Sequence, residues 1–181
     1  TGYLTIHGTE RFGDTLLYRL GFPNREIEHS FSRWLAQGFT DLSPSEMTSA
    51  LRRMVKALNE GYADEMLEIL KTFFAGIPYD ITERKEKYYQ TIFFTIFKLI
   101  GAAIEAEVVT NIGRIDAVVK TPERIFIFEF KFGGTAEEAL QQIRHKQYAA
   151  PYRDDGREIL CAGVAFGIEE RNLTDWRIEP S

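Results

Sequence analysis

Apolar positions recur with two different periods along this chain, and the change falls near residue 80. Before it the spacing is mostly helical. Ser43-Pro44-Ser45-Glu46 joins an N-cap serine, a proline at the first helical position and a glutamate at the third, a capping box that opens a helix. Ala50, Leu51, Met54, Val55 and Leu58 then share one face, and Gly61 stands where that helix can end. Met66, Leu67, Ile69, Leu70, Phe73 and Phe74 predict a second helix up to Gly76. An earlier helix is expected over about 24–37, with Ile27, Phe31, Trp34 and Leu35 as its apolar stripe. In the ambiguous first 20 residues, Tyr3-Leu4-Thr5-Ile6 reads as a short strand with a lost partner.

Beyond residue 80 the pattern reads helix, three strands, helix, strand. Thr82 caps a helix that closes near Gly101. Strands follow over 104–110, 112–120 and 125–132, the last two joined by the turn Thr121-Pro122-Glu123-Arg124. Thr135 caps a helix running through Tyr148, with Leu140 and Ile143 facing inward. The stretch 159–166 is continuously apolar, as in a strand buried on both faces. The order α-β-β-β-α-β predicts an α/β fold, a mixed sheet with helices packed on it, behind an N-terminal helical subdomain. The expected division is 1–80, a mostly helical docking segment, and 81–181, the α/β domain.

Ile125-Phe126-Ile127-Phe128-Glu129-Phe130-Lys131-Phe132 carries the chemistry. Side chains of a strand alternate between faces, so four phenylalanines share one face while Glu129 and Lys131 end the other. Burying two charges costs several kcal/mol per ion unless partners compensate. A turn centred on Pro122 and Glu123 sets Asp116 opposite Glu129 on the same face, with Cβ atoms roughly 4.5–5.5 Å apart. Two carboxylates so placed repel unless a cation lies between them, and hard oxygen donors suit Mg²⁺ or Mn²⁺. The alternative is a structural Glu129–Lys131 ion pair at a sheet end.

Composition narrows the partners. The chain has 181 residues, 44% hydrophobic, 13% aromatic and 27% charged, an ordinary folding mix rather than a disordered or collagenous one. With 22 Lys+Arg against 27 Asp+Glu the net charge is -5, which excludes a polycation that coats nucleic acid. Phosphate contact would come from local bases, among them Arg144-His145-Lys146, Arg153 and Arg157. Cys161 is the only cysteine, so there is neither a disulfide framework nor a cysteine zinc cluster, and a cytoplasmic, reducing location is expected. No apolar run is long enough to span a bilayer and no signal peptide is evident; a chain that opens at Thr1 is expected to be a fragment. His7, His29 and His145 lack zinc-ligand spacing, Ser30 and Ser32 lack a nucleophile elbow, and no phosphate-binding P-loop is present.

Asp116, followed after a hairpin by Glu129-Phe130-Lys131, resembles the metal-binding signature of the PD-(D/E)XK nuclease superfamily, whose restriction-endonuclease-like core has the same α-β-β-β-α-β order. More narrowly, 18–24, 86–90, 113–116, 128–131 and 139–143 are similar to a bacterial family in which an AAA-ATPase-like domain precedes a PD-(D/E)XK-like domain of unsettled function. The resemblance implies Asp116 and Glu129 as ligands of Mg²⁺ or Mn²⁺, and Lys131 as the group that orients or polarises the attacking water. It further implies that Glu86 lies beside the metal and that Gln142, on the helix after the lysine strand, joins the site. Lys146, one turn on, and Arg144 would then meet substrate phosphates. On this reading 1–6 is the tail of an ATPase-like domain, which becomes a partner within the longer chain, and the substrate is DNA or RNA. A departure from the motif is Ile115 where its name has proline. The rival expectation is a catalytically inactive interaction or regulatory module on the same fold.

Overall fold

The computed structural model describes residues 4–12, 15–28, 30–31, 34, 42–77, 86–110 and 113–181. It opens with two antiparallel strands, β1 (Thr5–Phe12) and β2 (Thr15–Gly21). Of the strand read at residues 3–6, Thr5 and Ile6 therefore have their partners in the next stretch of chain, and the described N-terminal segment begins as a hairpin rather than a helix. Helical backbone follows at residues 25–28, 30–31 and 34; the remainder of the helix expected over 24–37 lies outside the described residues.

Helix α1 (Pro44–Glu60) starts from the expected capping box: the Ser43 hydroxyl takes the Glu46 N–H, and the Glu46 carboxylate takes the Ser43 N–H at 2.9 Å. It ends at Gly61 in the left-handed conformation, φ 80°. Helices α2 (Ala63–Ala75) and α3 (Glu86–Leu99) complete one layer; the Thr82 cap lies outside the described residues. Strands β3 (Ala103–Val109), β4 (Arg114–Lys120) and β5 (Arg124–Phe132) form an antiparallel meander. Helix α4 (Ala136–His145) then crosses over to β6 (Glu158–Phe166), parallel to β5. A final antiparallel strand, β7 (Leu173–Pro180), which the periodicity did not reveal, completes a sheet ordered β3-β4-β5-β6-β7.

Alternation along β5 divides the interior. Phe126, Phe128 and Phe130 face α1, α2 and α3, packing with Met54, Leu67, Phe73, Phe93 and Phe97. Phe93 meets Phe128 and Phe130 edge-on at centroid separations of 5.0 and 4.9 Å, a geometry worth about 0.5–1.5 kcal/mol per pair beyond area burial. Ile125 and Ile127 face α4, packing with Leu140, Ile143 and Tyr148. The apolar stripes of α1 and α2 are thus covered by the chain's own sheet. Exposed large apolar side chains gather instead on the hairpin, at Leu4, Ile6, Leu16, Leu17, Tyr18 and Leu20. Among the described residues no helix is long and apolar enough to cross a membrane.

Candidate active site

The β4–β5 ladder keeps the register expected from the turn, from Lys120 opposite Ile125 to Ala117 opposite Phe128, and stops one residue short of Asp116. The β3–β4 ladder likewise passes from Ala106–Ala117 to Val108–Ile115, skipping Glu107 and Asp116. Glu107 has φ 50°, the left-handed region that non-glycine residues seldom occupy. Asp116 consequently stands off both ladders, and its Oδ2 accepts the Phe130 backbone N–H at 2.8 Å. The direct cross-strand pairing expected for Asp116 and Glu129 is replaced by this bond, which brings the Asp116 carboxylate to the β5 backbone between Glu129 and Lys131.

Glu129 is 3% exposed; among the described residues it is a buried acid in an interior of 40 buried apolar residues and one other buried polar side chain, Thr121. Its Oε1 accepts the Lys131 ammonium at 3.3 Å and the Gln142 side-chain N–H. Lys131 Nζ also donates to Gln142 Oε1 at 2.6 Å. The Gln142 amide thereby presents its oxygen to the cation and its nitrogen to the anion, the one orientation that satisfies both. This is the compensation that lets β5 carry a buried carboxylate beside a half-buried ammonium.

Two local devices bring Gln142 there. Thr135 caps α4 through a reciprocal box with Glu138, the Thr135 N–H donating to Glu138 Oε2 at 2.8 Å and the Glu138 N–H to Thr135 Oγ1 at 3.1 Å. Gly163, the β6 partner of Glu129, lets the helix lie against the sheet, because a Cβ there would run into the Ala136 carbonyl oxygen and come 3.0 Å from the Leu140 N. An isolated glycine inside an apolar strand is a sequence signal for such close approach.

The other expected residues are placed differently. Glu86 is the first residue of α3, and its side chain lies outside the described residues. Lys146 ends α4, half-buried, and borders an open cleft with Gln141, Gln142, Arg144 and His145. Within that cleft Arg144 also makes ion pairs: Nε and Nη2 grip the Glu179 carboxylate on β7 at 2.7 and 3.0 Å, and Nη1 meets Glu137 at 3.2 Å. The Glu179 hydrogen bonds hold its guanidinium pKa above the ordinary arginine value. Arg157 is likewise tied to Asp155 and donates to the Thr121 carbonyl at 2.8 Å. Both arginines thus brace the fold through surface ion pairs, and the Arg144 side chain remains about half exposed.

Residues 84–176 match the PD-(D/E)XK nuclease superfamily. The chain is also 31% identical to an uncharacterized protein from the vnfD 5′ region of Azotobacter chroococcum mcd 1, over 98% of its own length and 36% of that relative's. It therefore spans little more than a third of the relative it matches. No solved structure matches. The chain belongs to the PD-(D/E)XK nuclease superfamily, and its mixed five-stranded sheet with flanking helices is the restriction-endonuclease-like fold.

Superfamily members generally use divalent metals. Among the described residues no three His, Cys, Asp or Glu side chains gather into a metal cluster. Two hard carboxylates are nevertheless what Mg²⁺ commonly takes from protein, the remaining positions going to water and substrate phosphate. Asp116 and Glu129, with oxygen donors only, fit that pattern.

Proposed function

We propose that this chain is a Mg²⁺- or Mn²⁺-dependent nuclease module that hydrolyses phosphodiester bonds of DNA, with RNA as the second substrate class. The observation that carries the reading is the Glu129–Lys131–Gln142 cluster beside the Asp116 carboxylate, at the end of a central strand. Asp116 and Glu129 would hold the cation, which when bound supplies Lewis acidity to the phosphate and to the attacking water. Lys131, paired with Glu129, would offer preorganised positive charge to the transition state. An ammonium has three N–H donors, and Glu129 and Gln142 engage two. The third is the group that would orient water or a phosphate oxygen. Lys146 and Arg144, at the cleft beside Gln142, are the candidate phosphate contacts.

The module would work in the cytoplasm within a longer protein whose ATPase-like domain covers the exposed β1–β2 hairpin. A two-stranded hairpin is marginal in water by itself, and this one exposes leucine and isoleucine on its surface. The Asp116→Ala and Glu129→Ala proteins test the catalytic reading. Both are expected to keep the circular dichroism of the parent and to lose Mg²⁺-dependent cleavage of labelled DNA by at least about a thousandfold. Undiminished cleavage in both would refute it.

A second reading, an inactive interaction or regulatory module, is favoured by the engagement of Arg144 with Glu179 and by the acidic net charge of -5. Calorimetric titration separates the two, because a purely structural Glu129–Lys131 pair takes up no Mn²⁺.

A further inference from the structure

The end of α4 is built to turn one side chain back into the protein. The Tyr148 N–H donates to the Ile143 carbonyl at 3.1 Å, and the Gln147 N–H donates to the Arg144 carbonyl at 3.0 Å. This double reversal is the Schellman terminus, and Gln147 occupies its left-handed position with φ 48° in place of the usual glycine. The conformation is costly for a residue with a Cβ. Its result is that Tyr148 is 2% exposed and packs with Ile143 and Ile115 beneath α4.

The Tyr148 ring stands over Gly113. A Cβ added to Gly113 would lie 2.8 Å from the Tyr148 hydroxyl oxygen and 3.3 Å from its Cε1. Gly113 is absent from the positive-φ glycines of the described chain, so its missing side chain serves space rather than backbone freedom. The same residue closes the β3–β4 hairpin, its carbonyl accepting the Thr110 N–H at 2.8 Å and the Thr110 hydroxyl at 3.0 Å. Asp116 follows three residues later, outside both ladders. Asp116 itself has no ladder partner, so its place depends on its paired neighbours Ile115 and Ala117, on the hairpin closed at Gly113 and on the Phe130 N–H that its carboxylate accepts.

We propose that Tyr148 is a positioning residue for Asp116, acting through its contact with Gly113 to hold the β3–β4 hairpin against the end of α4. The importance of that position for metal binding rests on the nuclease reading above; the positioning itself does not. The left-handed Glu107 across from Asp116 is the complementary feature on β3, where the ladder opens.

The Phe130 amide reports on the Asp116 carboxylate without any metal, because Oδ2 is its acceptor. Hydrogen exchange by NMR is compared for the parent, Gly113→Ala, Tyr148→Phe and the double variant, with Asp116→Ala as control. In Gly113→Ala the Phe130 amide is expected to exchange about tenfold faster, while the β5–β6 ladder amides are unchanged. Removing the hydroxyl in Gly113→Ala/Tyr148→Phe is expected to restore it to within about twofold, since the atom at 2.8 Å is gone. Mn²⁺ affinity measured by calorimetry on the same proteins should follow the same order. A Phe130 rate unchanged in Gly113→Ala, an increase shared by all of β5, or a failure of Tyr148→Phe to rescue would each overturn the proposal. If the parent binds no Mn²⁺, the nuclease reading falls, and the amide rates still decide the role of Tyr148.

Discussion

Lys131 Nζ lies 2.6 Å from Gln142 Oε1, a contact between residues on a strand and on the helix that follows it. The same amide holds Glu129, so one neutral side chain fixes the distance between a buried anion and a cation. Groups that orient a metal ligand or a catalytic cation typically carry 10–100-fold in affinity or activity. Gln142→Ala is accordingly expected to lower kcat by about one to two orders of magnitude with little change in KM. Gln142→Glu should be worse, because it adds a second carboxylate beside Glu129. Steady-state cleavage rates of a fluorescent oligonucleotide check both, and a Gln142→Ala protein with parental kcat would remove the residue from the site.

Asp116→Asn isolates charge from hydrogen bonding. The amide oxygen can still accept the Phe130 N–H, so the melting temperature should stay within a few degrees of the parent. Mn²⁺ affinity should nonetheless fall by about tenfold or more, because a neutral ligand replaces an anion. Calorimetry and thermal melting on the same preparation decide it. Equal Mn²⁺ affinity in parent and variant would mean that Asp116 serves the fold alone.

Gly163→Ala tests the packing that brings α4 to β5. The added methyl meets the backbone of Ala136 and Leu140, which cannot swing aside as a flexible side chain could. Forced overpacking of this kind costs about 1–3 kcal/mol, read as a lower urea midpoint at constant m-value. Cleavage should fall as well, since Gln142 rides on the same helix. A variant as stable as the parent would show that the helix can shift outward freely.

Cys161 supplies a pH-dependent prediction. Burial, assisted by the Glu179 carboxylate, pushes its thiol from an ordinary value of 9.0 up to about 11. The unfolded chain then ionises at lower pH than the native one, so this group's contribution to stability is complete below pH 9 and is lost as pH rises toward 11. At pH 8 the native protein should resist iodoacetamide while the urea-unfolded chain is alkylated within minutes. Rapid native labelling, followed by mass spectrometry, would contradict the burial of that strand.

Much of this architecture was legible along the chain. Both capping boxes are written in four residues each, and the structure closes both. The Thr121-Pro122-Glu123-Arg124 turn sets the β4–β5 register, and the period-two Phe pattern of β5 decides which side chains meet α3 and which meet α4. The order of elements and the Asp116, Glu129 and Lys131 spacing pointed to the superfamily. Such features act over a few bonds, through steric preference and local hydrogen bonding, so sequence alone determines them. Other features needed the assembled molecule. Asp116 falls between paired residues where β3 carries the left-handed Glu107, Arg144 meets Glu179 because β7 lies beside α4, and β1 finds its partner in β2. Gly113 and Gly163 acquire meaning only when Tyr148 and α4 press against them. Each of these depends on which surfaces meet after the chain has closed on itself, and packing between distant segments leaves no periodic trace in the residues that take part.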